Sequence, residues 1–198
     1  MRKGETTRQT ILEQATRVAS KLGLAGLTIG NLAEQTQLSK SGLYAHFRSK
    51  ESLQLQVMEH ATALFIEHVV RPALMTRRGE ARVRALFDHW LQWCAGSALP
   101  GGCLFFAAAA ELDDQPGPVR DRLVRDQQDL LESIAQIFRT GISEGAFRAD
   151  AEPMQFAHEL HGVMLSYSYN YRLLKDPDAE ARTRRSFEAL LNAARVKH

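Results

Sequence analysis

The sequence predicts an all-α protein of about nine helices, and three features of the chain lead there. Apolar residues recur at three- and four-residue steps along nearly the whole length, and no segment alternates apolar with polar residues as a strand would. Residues that cap helix N-termini stand where these periodic segments begin, and glycine or proline stands where they stop. A hydrophobic fraction of 44% with 24% charged residues suits a packed core and excludes a wholly disordered chain.

The first helix runs from about Thr7 to Leu22, with Ile11, Leu12, Ala15, Val18, Ala19 and Leu22 on one face, and Gly23 is placed to end it. Thr28 reads as the N-cap of a short helix through Ile29, Leu32 and Ala33; Ser39 caps another containing Leu43 and Phe47. Ser49 opens a longer helix, with Leu53, Val57, Leu64 and Phe65 inward, that should stop near Arg71-Pro72. After Thr76-Arg77-Arg78-Gly79 comes a helix over about 80–96. Leu99-Pro100-Gly101-Gly102 separates it from an apolar helix from Cys103 to Leu112. Pro116-Gly117-Pro118 opens the longest periodic segment, which reaches Gly145. Asp150 to Pro153 starts the eighth helix, through Tyr171, and Asp178 caps the ninth, with Phe187, Leu190, Leu191 and Ala194 on its face.

The net charge of +2 hides an uneven distribution. Residues 1–50 carry eight Lys and Arg against three Glu, a net +5, so the rest of the chain is mildly acidic. A basic head suits a polyanionic partner. Cys94 and Cys103 are too few for a disulfide framework or a zinc site and fit a reducing compartment. The uncharged run His89–Ala110 has the length of a membrane span, but Pro100-Gly101-Gly102 divide it and His89, Gln92 and Ser97 are polar. The N-terminus lacks the apolar stretch of a signal peptide. These features predict a cytoplasmic protein with no membrane partner.

Residues 28–50, TIGNLAEQTQLSKSGLYAHFRSK, have the layout of a helix-turn-helix: two short capped helices joined around Gln37-Leu38. A recognition helix must enter a major groove about 12 Å wide, so its outward residues must be slim or able to hydrogen-bond. Lys40, Ser41, Gly42 and Ala45 meet that need, while Leu43 and Phe47 point back to hold the helix. Residues 7–53 resemble the DNA-binding domain of the TetR (tetracycline repressor) family, whose pattern ends in glycine, an apolar residue, Tyr, any residue, His-Phe and then Ser/Asn-Lys. Here the run is Gly42-Leu43-Tyr44-Ala45-His46-Phe47-Arg48-Ser49-Lys50, and Gly23, Thr28, Ile29, Leu32, Ala33, Leu38 and Ser39 stand in the usual upstream places. Gln37 departs from the family, which commonly has glycine in the turn; a left-handed Gln costs about 1 kcal/mol.

The resemblance implies a DNA-binding head over 1–50 and a ligand-binding, dimerising body over 51–198, joined by the Ser49–Arg71 helix. It implies phosphate contacts for Tyr44, Lys50 and Thr28; Ser39 and Gly42 are also expected at the DNA, where Gly42 would let the helix backbone approach the bases closely. Gln37, Lys40 and Ser41 are the expected base readers, and His46 is left between a phosphate contact and a packing role. The family also implies a homodimer through residues 153–174 and 178–196, and double-stranded, palindromic operator DNA as partner. It further implies a small-molecule effector that releases the DNA, as for a repressor. Candidate pocket residues are Phe65, Trp90, Trp93, Cys94, Cys103, Phe106, His161 and Tyr167, which combine aromatic walls with a few polar tips suited to a mostly apolar ligand.

Other features weigh less. His158-Glu159-Leu160-His161 resembles a zinc-protease motif but spaces its histidines three apart where those enzymes need four. Glu111, Asp113 and Asp114 stand at a helix end before a proline turn, where a solvated loop is expected. A redox pairing of Cys94 and Cys103 is outweighed by the absence of clustered basic neighbours, which leaves them as buried small hydrophobes. No nucleophile elbow, phosphate-binding glycine loop or metal set appears, so neither an enzyme nor a cofactor is expected. An activator or corepressor-dependent regulator could use the same layout. So could a helical carrier or enzyme with a vestigial helix-turn-helix, although such a head would tend to lose Tyr44, Lys50 or the slim face around Gly42.

Overall fold

A computed structural model of the protein describes residues 3–36 and 39–196. The helices are α1 (Lys3–Leu22), α2 (Ile29–Thr36), α3 (Lys40–Phe47), α4 (Lys50–Phe65), α5 (Arg71–Met75), α6 (Glu80–Ala95), α7 (Leu104–Leu112), α8 (Pro118–Ser143), α9 (Pro153–Ser168) and α10 (Ala179–Ala194). A π-helical segment, Ile66–Val70, joins α4 to α5 without leaving helical backbone angles, so among the described residues the expected nine helical rods are present. A second π segment, Tyr169–Leu173, prolongs α9.

Most ends fall where the sequence places them. Gly23 and Gly96 close α1 and α6 at φ +76° and +99°, a conformation glycine adopts without a side-chain penalty. The Thr28 hydroxyl accepts the Asn31 N–H at 3.0 Å, and that of Ser49 accepts the Ser52 N–H at 3.0 Å. Two ends differ. Pro72 does not stop the fourth rod, which continues to Met75. A proline inside an α-helix removes a donor and collides with the carbonyl four residues back. Here the Arg71 N–H reaches five residues back to Ile66 O, and this wider turn just before Pro72 absorbs the mismatch. Asp178 precedes α10 but does not cap it; its carboxylate turns to Arg182, 3.2 Å away.

The chain divides into two compact units: residues up to Leu64 together with Ala98–Asp126, and Phe65–Ser97 together with the chain from Gln127. The first holds α1 to α3, most of α4, α7 and the start of α8. Its core takes Ala15, Ala19, Leu32, Leu43, Phe47 and Leu104, all fully buried. Asp126 ties α8 to α4, accepting from the Thr62 hydroxyl at 3.1 Å and from Arg122 Nε at 2.9 Å.

In the second unit α6, α9 and α10 pack on one another. The rings of Phe87 and Phe187 stack at 3.9 Å, with the Arg84 and Arg184 guanidiniums 6.0 and 5.8 Å from the Phe187 and Phe87 centroids. Arg84 pairs with Glu80 and Glu188, and Arg195 closes the network with Nε 2.8 Å from Glu80 Oε2. Hydrogen bonds from Arg195 and then Arg84 hold the Glu80 carboxyl near 2, against an ordinary value of 4.5. A group whose pKa is lower folded than unfolded stabilises the fold above its unfolded value and loses that contribution as pH falls through the folded one. The thermal unfolding midpoint should therefore fall between pH 4.5 and about 2 more steeply for wild type than for Glu80→Gln. Parallel curves in a pH series of melts would contradict this.

Candidate nucleic-acid interface

The interface builds up from α2 and α3. Ser39 has extended backbone angles (φ −68°, ψ 147°), and its hydroxyl accepts the Gly42 N–H at 3.1 Å, which starts α3. The Ser39 and Ser41 hydroxyls lie 3.1 Å apart. Leu43 and Phe47 are fully buried and fix one face of α3. The opposite face presents Lys40, Ser41 and Ala45 to solvent, with Tyr44 53% exposed. Gly42 keeps that face slim and the cap intact, since a Cβ there would come within 3.2 Å of the Ser39 hydroxyl. His46 is half-buried, its ring centroid 6.3 Å from that of Phe47. Gln37 lies outside the described residues.

Arg48 ends α3 at φ +62°, its N–H bonded to Tyr44 O at 2.9 Å; a non-glycine residue held there costs about 1 kcal/mol. That strain forms the tight corner into α4, and it leaves Arg48 exposed between Tyr44 and Lys50. Lys50 Nζ donates to Ala25 O at 2.9 Å, which uses one of its three N–H donors. The expected phosphate contact therefore starts from a side chain already fastened to the α1–α2 loop. Glu111 is not in a solvated loop as expected: it is half-buried, and its Oε2 accepts the Ala25 N–H at 2.8 Å. Gly23 makes the room, because a Cβ built on it would fall 1.6 Å from Glu111 Oε1. Asp113 and Asp114 are exposed.

Sequence reasoning missed Arg48, Gln54 and Glu111 as parts of this assembly. For Glu111 a signal existed: an acid in the last turn of a helix opposes the helix dipole, so its placement calls for a partner elsewhere.

Of the pocket candidates, Phe65, Trp90, Trp93, Cys94, His161 and Tyr167 fall in the second unit, and Cys103 and Phe106 in the first. Trp90 and Trp93 are fully buried, and Phe65 meets both edge-on at 5.9 and 5.4 Å. His161 lies 6.1 Å from Trp90 and shares a hydrogen bond with Gln127 Oε1 at 3.2 Å. Trp93 Nε1 is buried with no hydrogen-bond partner among the described residues, which costs roughly 1–3 kcal/mol. Burial lowers the His161 pKa, with the nearby His158 adding, and pushes the Tyr167 hydroxyl up to about 12, with Glu180 adding. Burial thus favours the uncharged form of both groups. His158 itself is exposed, apart from the half-buried His161.

Two family descriptions match the chain. "Bacterial regulatory proteins, tetR family" covers residues 11–57, and "Tetracyclin repressor-like, C-terminal domain" covers residues 79–187. The HTH-type transcriptional repressor NemR of Escherichia coli K12 is 24% identical over 198 residues, spanning 97% of this chain and 92% of that protein. A TetR transcriptional regulator from Chloroflexus aurantiacus superposes over the whole of both chains with a TM-score of 0.88 at 26% identity. AibR, in complex with isovaleryl coenzyme A and operator DNA, gives a TM-score of 0.71 at 20% identity, covering 94% of this chain and 97% of its own. No helix among the described residues is long and apolar enough to cross a membrane.

Proposed function

Because the chain belongs to the TetR family of bacterial regulatory proteins, we propose that it is a homodimeric, cytoplasmic repressor that binds a palindromic operator and leaves it when a small, mostly apolar ligand binds. One observation carries this reading: α3 buries Leu43 and Phe47 and turns Lys40, Ser41, Tyr44 and Ala45 outward, a slim polar face of the kind a major groove accepts. In this reading residues 1–50 are the reading head and 51–198 the sensing and dimerising body. Thr28, Tyr44 and Lys50 grip phosphates, and Lys40, Ser41 and Gln37 read bases. The protein acts by binding and catalyses nothing itself.

The effector site is built on Phe65, Trp90, Trp93, Cys94, His161 and Tyr167. Aromatic walls with uncharged polar tips favour a ligand without a formal charge at that end, and an acceptor atom would satisfy Trp93 Nε1. AibR, similar in fold, holds a small ligand and operator DNA, which supports both tasks on this architecture. The dimer forms through residues 153–174 and 178–196. Leu165, Tyr169, Leu173 and Leu174 are exposed there, and a groove of about 470 Å³ runs along α9 and α10.

Anisotropy titrations over a salt series test the assignment of roles. Lys50→Ala should weaken specific and random DNA about equally and flatten the salt dependence by about one unit of slope per protomer. Ser41→Ala should relax preference at one or two base pairs, at a cost on the order of 1–3 kcal/mol. If Lys50→Ala altered sequence preference and left the slope untouched, the roles would be wrongly assigned.

A further inference from the structure

We propose that Glu111 is a positioning residue for the DNA-binding head, holding the α1–α2 loop so that Lys50 and the start of α2 stand ready for phosphate. The inference rests on the DNA-binding reading above. Four backbone groups of this short loop are each held by a side chain. Gln54 Nε2 donates to Leu24 O at 2.8 Å, and Asn31 Nδ2 to Gly26 O at 2.8 Å. Between them, Ala25 is held from both sides: its N–H donates to Glu111 on α7, and its C=O accepts from Lys50 on α4.

Several facts argue that this is a built contact. The Glu111 carboxylate occupies the space left by the missing Cβ of Gly23, whose φ of +76° also disfavours other residues. Its place in the last turn of α7 is unfavourable to that helix, so its compensation lies at Ala25 and not within α7. The contact joins residues 86 apart in sequence, linking the segment that follows the head to the head itself, inside one compact unit. Thr28 caps α2 only three residues after Ala25. Movement of the α7 terminus is therefore passed to Lys50 and to the N-terminus of α2 together. A cavity of about 400 Å³, lined in part by Ala25, Lys50, Gln54, Glu111 and Arg120, lies beside the latch and gives these side chains room to part.

The test uses the full chain, DNA selected by the wild type, and amide hydrogen exchange at Ala25. Glu111→Ala should lower affinity for that DNA about tenfold and speed Ala25 exchange by at least about as much. Glu111→Gln, whose amide oxygen still accepts from the Ala25 N–H, should restore both to within about threefold of wild type. Should the alanine variant not fold, Glu111→Asp keeps the charge but withdraws it from Ala25, and is expected to show the same two losses. An alanine or aspartate variant with either readout unchanged overturns the proposal, as does a glutamine variant as impaired as alanine. A wild type that selects no DNA would sink the DNA-binding reading instead, and the exchange comparison would still decide the latch.

Discussion

Replacing Gly101 with alanine should destabilise the first unit by about 3 kcal/mol, a large part of what holds a typical domain folded. Gly101 is buried in the turn before α7, against the last turns of α1. A Cβ there would lie 1.6 Å from Ser20 O, 1.9 Å from Ser20 C and 2.6 Å from Lys21 N. All three are backbone atoms, so no side chain can swing aside and α1 itself must shift. That shift would also break the buried hydrogen bond from Gly101 N–H to the Ser20 hydroxyl, 3.0 Å long, worth about 1 kcal/mol. Urea unfolding followed by circular dichroism measures the effect. A midpoint unchanged from wild type would show that the turn is looser than described.

Local features were legible in the sequence and long-range ones were not. Thr28, Ser39 and Ser49 act within three residues of themselves, so spacing alone located the starts of α2, α3 and α4. The same holds for the inward Leu43 and Phe47 against the outward Lys40, Ser41 and Ala45. Pro72 misled because the rule for proline assumes an α ladder, and a π turn supplies another register. The Asp178 carboxylate had two uses open to it, cap or ion pair, and only the position of Arg182 decides between them. Glu111 looked solvated because its partner, the Ala25 amide, lies far off in sequence. Gly101 and Gly23 carry no local mark of the backbone and carboxylate that press on them. Trp90 and Trp93 could be placed on one helical face by their spacing, but their contact with Phe65 depends on how α6 packs.

DNA binding should weaken with salt by a factor of about a hundred between roughly 50 and 200 mM, given about four phosphates neutralised per dimer. The number counts two of the exposed cations on each head, those beside the recognition helix that do not read bases: Arg48 at the end of α3 and Lys50 opening α4. Each neutralised phosphate releases counterions, so the logarithm of affinity falls by nearly one unit per phosphate for each tenfold rise in salt. Symmetry adds a second constraint. Two recognition helices related by a two-fold axis must enter grooves on one face of the duplex, so half-site centres should lie about one helical turn, or a multiple, apart. Selection of bound duplexes from a random-sequence DNA library tests this most directly. The predicted result is a dyad-symmetric consensus with that spacing, bound by a dimer and lost steeply with salt. Enrichment of no sequence, or of sequences without dyad symmetry, would contradict the claim that α3 reads an operator in a two-fold dimer.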